Sequence, residues 1–314
     1  MKRFLALLAV GFLYAPRAWA QGYVNSPINL KAQKLPPFFL GHNPVEVYNS
    51  LGSTKTAKGR FETTSQYQAR RARVTSHALF GKTYAWSPLG FVITPSWSDY
   101  NADTREFVAH FALYKDTVYE DFSGFDINKS HEVLRTVTQS YLESSRTYEA
   151  QNAFGAHVTV DSEHRSAFGF TVMNWKDFKF VPTDSEKSVY RLSYKTYISP
   201  DAARKLQKNI RAMFVGYSTT PYQTQDIDGK SATYDSPYSR YTQFYYACLH
   251  LKEVWFFDEG SGYIFQKSAP IRLGNRVISS PVSSINPTTG SPVALQASYP
   301  IGRSTRVHLR QVTA

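Results

Sequence analysis

Glu106-Phe107-Val108-Ala109-His110-Phe111-Ala112-Leu113 is the stretch whose pattern decides the fold class. Phe107, Ala109, Phe111 and Leu113 occupy alternate positions, so on an extended chain all four side chains point the same way. That is a strand with one strongly apolar face. The same period of two returns in Val189–Ile198, where Tyr190, Leu192, Tyr194, Thr196 and Ile198 alternate with Arg191, Ser193, Lys195 and Tyr197. Phe244–Phe257 predicts a further long strand, which Asp258-Glu259-Gly260-Ser261-Gly262 turns back into Tyr263–Gln266 as a hairpin. With 22 Tyr, 21 Phe and 5 Trp the chain leans further toward sheet, because such rings fit a pleated, half-buried surface. The strands are amphipathic rather than continuously apolar, which argues for antiparallel pairing.

Helices are expected at three places. Asn43 caps a short helix that begins at Pro44 and stops at Gly52. Thr63 with Gln66 forms a capping-box pattern ahead of a second helix running to about Val74. Ser199, Pro200 and Asp201 open a third, with Ala203, Leu206, Ile210 and Met213 as its buried stripe over 200–213. Tyr148–Val160 is expected as two strand pieces about a turn at 152–155, and Asp161–Arg165 as a hairpin loop leading into Phe168–Met173. Residues 221–240, rich in Pro, Asp, Ser and Tyr, are expected as a long loop. The fold class is therefore α+β, mostly antiparallel β-sheet, with N-terminal helices and one mid-chain amphipathic helix packed on it. One β-rich domain is expected over 21–278, with 182–188 the candidate boundary between two lobes. Residues 279–314 follow as a Pro- and Ser-rich extended segment and a basic C-terminal strand or tail.

The first twenty residues carry an address. Lys2 and Arg3 precede an uncharged apolar run from Phe4 to Ala15, and Ala18-Trp19-Ala20 supplies the small-residue cleavage pattern of a signal peptide. The run is shorter than the ~20 apolar residues of a spanning helix, and no later stretch reaches that length, so no transmembrane segment is expected in the mature chain. The expected location is periplasmic or secreted, after cleavage near Ala20. Loss of Lys2, Arg3 and Arg17 lowers the net charge from +12 to +9. A chain this basic in the cytoplasm points to nucleic acid; after export that partner is set aside, and an anionic envelope component or an envelope protein takes its place. Cys248 is the only cysteine, so no internal disulfide is available in an oxidising compartment.

No H-E-x-x-H, Walker, G-x-S-x-G or dinucleotide-binding motif occurs, and no cofactor is implied. Cys248 and His250, two apart on a strand, form the candidate nucleophile pair, set against the reading of a buried core thiol. His157, Asp161 and His164 form the candidate metal cluster, His164 folding over from the expected hairpin loop. Asp226-Ile227-Asp228-Gly229 opens like a calcium loop but has Ser231 and Pro237 where Gly and Glu are needed, and is read as a turn. Beyond Glu259 there is no acidic residue, and Arg306, His308 and Arg310 alternate along a candidate anion-binding strand. These features point to an exported, soluble, non-enzymatic binding or interaction protein of a bacterial-type cell envelope. The alternatives are an extracytoplasmic hydrolase with a dispersed active site and a structural subunit of an envelope assembly.

Overall fold

The computed structural model describes residues 22–52, 59, 61–76, 78–119, 130–151, 155, 157–271, 284–285 and 292–293. Helices α1 (Pro44–Gly52) and α2 (Thr64–Ser76) precede the strands β1 (Ala78–Phe80), β2 (Thr83–Tyr84), β3 (Leu89–Ile93), β4 (Trp97–Asn101) and β5 (Glu106–Tyr119). Then come β6 (Ser130–Gln151), β7 (His157–Val172), β8 (Val181–Pro182), β9 (Val189–Tyr197), α3 (Pro200–Asn209), β10 (Ile210–Lys230), β11 (Tyr238–Asp258) and β12 (Ile264–Ser268). Two short strands, β13 (Ser284–Ile285) and β14 (Pro292–Val293), pair with each other.

Ten strands form one sheet in the order β3-β10-β11-β7-β6-β5-β9-β8, with β12 also on β11 and β4 also on β5. Its pairings are antiparallel except β7 with β11, which run parallel. The alternation read at 106–113 holds, and Phe107, Ala109, Phe111 and Leu113 are all buried in the main core. Phe91, Phe170, Phe214 and Phe256 join them from β3, β7, β10 and β11.

A second cluster lies on the other side of β10, β11 and β12, where Met213, Val215, Trp255 and Phe257 pack against Ile28, Leu35 and Phe39. The N-terminal residues thus strap the back of the sheet, held by Leu35 N–H to the Gly262 carbonyl (2.8 Å) and Phe38 N–H to the Glu259 carbonyl (2.7 Å). Val254-Trp255-Phe256-Phe257 is apolar without interruption because both faces of β11 are covered there.

Local capping follows the sequence. Asn43 Oδ1 accepts from the Val45 N–H (3.0 Å) at the start of α1. At α2, Thr63 and Gln66 cap each other reciprocally, each side chain accepting the other's backbone N–H. Ser199 Oγ accepts from Ala202 at α3.

Three expectations are corrected. The mid-chain helix ends at Asn209, and Ile210 and Met213 are buried as strand residues of β10 rather than on its stripe. Ile210–Val215 is covered on both faces, so its apolar spacing matches a helix and a strand equally well. Residues 221–240 are not a long loop. β10 runs to Lys230 and β11 starts at Tyr238, Asp226–Gly229 lies inside β10, and Pro221 sits in a bulge off the ladder. Nor is there a hairpin at Asp161–Arg165: β7 passes straight through it, paired to β6 on one edge and β11 on the other.

The result is an arm. The outer halves of β6, β7, β10 and β11 continue past the core as a four-stranded sheet about 40 Å long at ~3.3 Å per residue. Along β6, every residue from Ser140 to Glu149 is exposed.

Candidate functional site

A cleft of about 1430 Å³ opens where the arm leaves the core. Its walls are β3 with the connection to Ser96, Ala112–Thr117 of β5, Glu132–Thr138 of β6, Asp226–Asp228 of β10, and Phe244 with Tyr246 of β11. Alternation along the strands sets Arg135, Asp226, Phe244 and Tyr246 on the same side of the sheet.

Arg135 organises the floor. Its Nη1 contacts Asp116 Oδ2 at 2.6 Å and Asp226 Oδ2 at 2.7 Å, and its guanidinium lies 5.3 Å from the Tyr246 ring centre and 5.9 Å from that of Phe244. One side chain thereby ties β5, β6, β10 and β11 together. Burial disfavours its charge, but Tyr246, Asp116 and Asp226 outweigh this and raise its pKa. Burial also raises the Tyr246 phenol, which stays protonated.

The neighbouring ions are paired in the same way. Glu132 accepts from Lys115 (2.6 Å) and Lys176 (2.8 Å), and these two bonds push its pKa down to about 2. Arg211 pairs with Glu259 at 2.5 Å. At the cleft edge, His42 Nδ1 accepts from the Gly90 N–H (3.0 Å). Its Nε2 therefore carries the proton and donates to the Ser26 carbonyl at 3.1 Å. Burial pushes this imidazole down to about 4, against the bond donated to the Ser26 carbonyl. Six acidic residues line the cleft against four Lys and Arg, in a chain whose net charge is +12.

The residues singled out from sequence are dispersed. Cys248 is fully buried on β11, and burial lifts its thiol to about 12, whereas His250 is exposed. The pair therefore lacks the lowered thiol pKa that a cysteine nucleophile needs. His157 and Asp161 do share a face of β7, where Asp161 accepts from Thr147 Oγ1 (2.7 Å). His164 is three residues beyond Asp161 on the same continuous strand, so it projects from the opposite face and lies beside the Tyr241 ring. Among the described residues, no group of three or more His, Cys, Asp and Glu is placed to hold a metal ion. Arg306, His308 and Arg310, and the expected leader Met1–Ala20, lie outside the described residues.

A row that sequence reading missed crosses β4, β5 and β9, whose register sets Trp97, His110 and Ser193 side by side. His110 Nδ1 lies 2.8 Å from Ser193 Oγ, while its Nε2 is 3.6 Å from Asp99 Oδ2, beyond hydrogen-bond range. Burial first, and then Arg191, push His110 down to about 4, which makes it a poor base at neutral pH. Nothing in the local pattern links residues 83 positions apart; only the strand register does.

No protein family, characterised protein or solved structure matches this chain. No helix among the described residues is long and apolar enough to cross a membrane.

Proposed function

We propose that this chain is an exported, non-enzymatic binding protein of a bacterial-type cell envelope, and that the cleft at the base of the arm receives its partner. The observation that carries this reading is the state of three ionisable groups that line the cleft, Glu132, His42 and Arg135. A general acid or base works through a pKa near the operating pH. Glu132 at about 2 and His42 at about 4 each keep one protonation state across the neutral range. Arg135 is clamped between two carboxylates. Polar groups already held by the protein suit recognition, because little has to be ordered when a partner arrives.

The excess of acidic residues selects a neutral or basic polypeptide segment for the cleft rather than a polyanion. Contact with an anionic envelope component falls instead to the basic tail with Arg306, His308 and Arg310. Export rests on the leader pattern of residues 1–20.

The test is hydrogen exchange on the purified chain with and without a solubilised envelope-protein fraction. Protection confined to 112–117, 132–138, 224–228 and 244–246 is expected, with the added proteins recovered intact by mass spectrometry. Cleaved or modified proteins without protection at these strands would overturn the reading. Deleting 281–314 is expected to abolish salt-sensitive retention on anionic vesicles; unchanged retention removes the tail from the proposal.

One observation favours a second reading, a structural subunit of an envelope assembly. Beyond Arg135, the outer edge of β6 has no strand beside it among the described residues. Such an edge is a template for another chain. Cross-linked oligomers joined through 136–151 would favour that reading, and a monomer at all concentrations would exclude self-assembly.

A further inference from the structure

The far end of the arm holds a second concavity, about 540 Å³ in volume and within the range of small-ligand sites. It lies on the face of the arm opposite the cleft. Val160, Ser162 and His164 share that face of β7, and register places Tyr148, Arg146 and Tyr241 beside them in turn. The turn between β10 and β11 folds over this face, held by backbone bonds between Thr233 and Ser236, and adds the exposed Tyr234.

Two features give the pocket a chemical preference. Tyrosine rings from β6, β11 and the turn line it with broad apolar surfaces that carry hydroxyls at their rims. Its charge is one-sided, because no Asp or Glu is among its described lining residues. Four of the arm's carboxylates, Glu149, Asp161, Glu163 and Asp228, project from the other face, engaged with Thr159, Thr147, Arg165 and Arg240. Arg146 is distinctive. Arg135, Arg165 and Arg240 each meet a carboxylate, whereas Arg146 has none among the described residues and rests 5.4 Å from the Tyr148 ring centre.

We propose that this pocket binds a saccharide bearing an anionic group. Tyr148, Tyr234 and Tyr241 stack on the C–H faces of the sugar rings, and the guanidinium of Arg146 forks onto the carboxylate or phosphate. The site is separate from the cleft, so it stands or falls independently of the polypeptide reading above.

The experiment is calorimetric titration of the purified chain with tetragalacturonate, maltotetraose, glucose 1-phosphate and a single-stranded oligonucleotide. Saturable binding of tetragalacturonate, at least tenfold tighter than of maltotetraose, is expected. Binding of glucose 1-phosphate alone would assign the anion as phosphate. Arg146→Ala and Tyr148→Ala are each expected to weaken the favoured ligand about tenfold, with Arg146→Lys retaining part of the affinity. Arg146 is exposed and, among the described residues, makes no side-chain hydrogen bond to another element, so its variants keep the fold, which circular dichroism checks. Absence of saturable binding, equal affinity for maltotetraose, tighter binding of a single-stranded oligonucleotide, or indifference to Arg146→Ala would each overturn the assignment.

Discussion

Replacing Arg135 by methionine tests how the arm is joined to the core. Methionine keeps most of the aliphatic stem but removes the nitrogen that Asp116 and Asp226 share. Because both carboxylates touch the same Nη1, their oxygens lie within about 5 Å of each other. Two like charges at that separation repel by about 3 kcal/mol at the effective dielectric of a protein surface. The Asp226 side chain is 43% exposed and Asp116 only 23%, so water relieves the repulsion in part. A net loss of about 2 kcal/mol is expected, below the 3–5 kcal/mol of breaking a fully buried pair.

Urea unfolding followed by tyrosine and tryptophan fluorescence would measure it, as a lower midpoint at unchanged slope. Adding Asp226→Asn to Arg135→Met is expected to restore most of the loss, since the repulsion needs both charges and one of them is gone. A single variant within about 0.5 kcal/mol of the parent, or a double variant no better than the single, would refute the reasoning.

Three further outcomes follow from other parts of the fold. Gly262 has φ +73°, and a Cβ there would sit 1.9 Å from the Leu35 carbonyl oxygen. Gly262→Ala is therefore expected to cost roughly 2–3 kcal/mol and to speed hydrogen exchange across 24–41, with normal exchange there counting against the strap. His42 titrates near 4 when folded and near 6.5 when unfolded, so the unfolded chain binds more protons between those values. Its contribution is complete above pH 6.5 and declines by roughly 1.4 kcal/mol per unit on acidification toward 4. Urea midpoints of His42→Gln and the parent should converge over that window, and parallel profiles would contradict the burial argument. Cys248 should react with a thiol probe only after denaturation; rapid labelling of the native chain would place it at the surface.

The parts of the fold legible in the sequence share one property: each rests on a few neighbouring residues in a one-sided environment. Phe107–Leu113 alternates because one face of β5 meets the core, and Asn43, Thr63–Gln66 and Ser199 cap helices through contacts that span three residues. Where both sides are covered the period vanishes, so Ile210–Val215 passes equally for a helix end. Where both sides carry mostly polar residues the composition resembles a loop, so 221–230 and 161–165 conceal strands of the arm.

By itself the sequence determined the β-rich class, the helix starts, the hairpin at 258–262 and the lack of any cysteine partner for Cys248. Only the tertiary structure decided which strands adjoin, and with them the candidate sites. Arg135 meets Asp226 across 91 residues, and Tyr148 shares a pocket with Tyr241, through the register of strands distant in the chain. The physical reason is that backbone pairing is blind to side-chain identity. Local pattern says which way a side chain points, but the choice of neighbouring strand comes from packing the whole sheet.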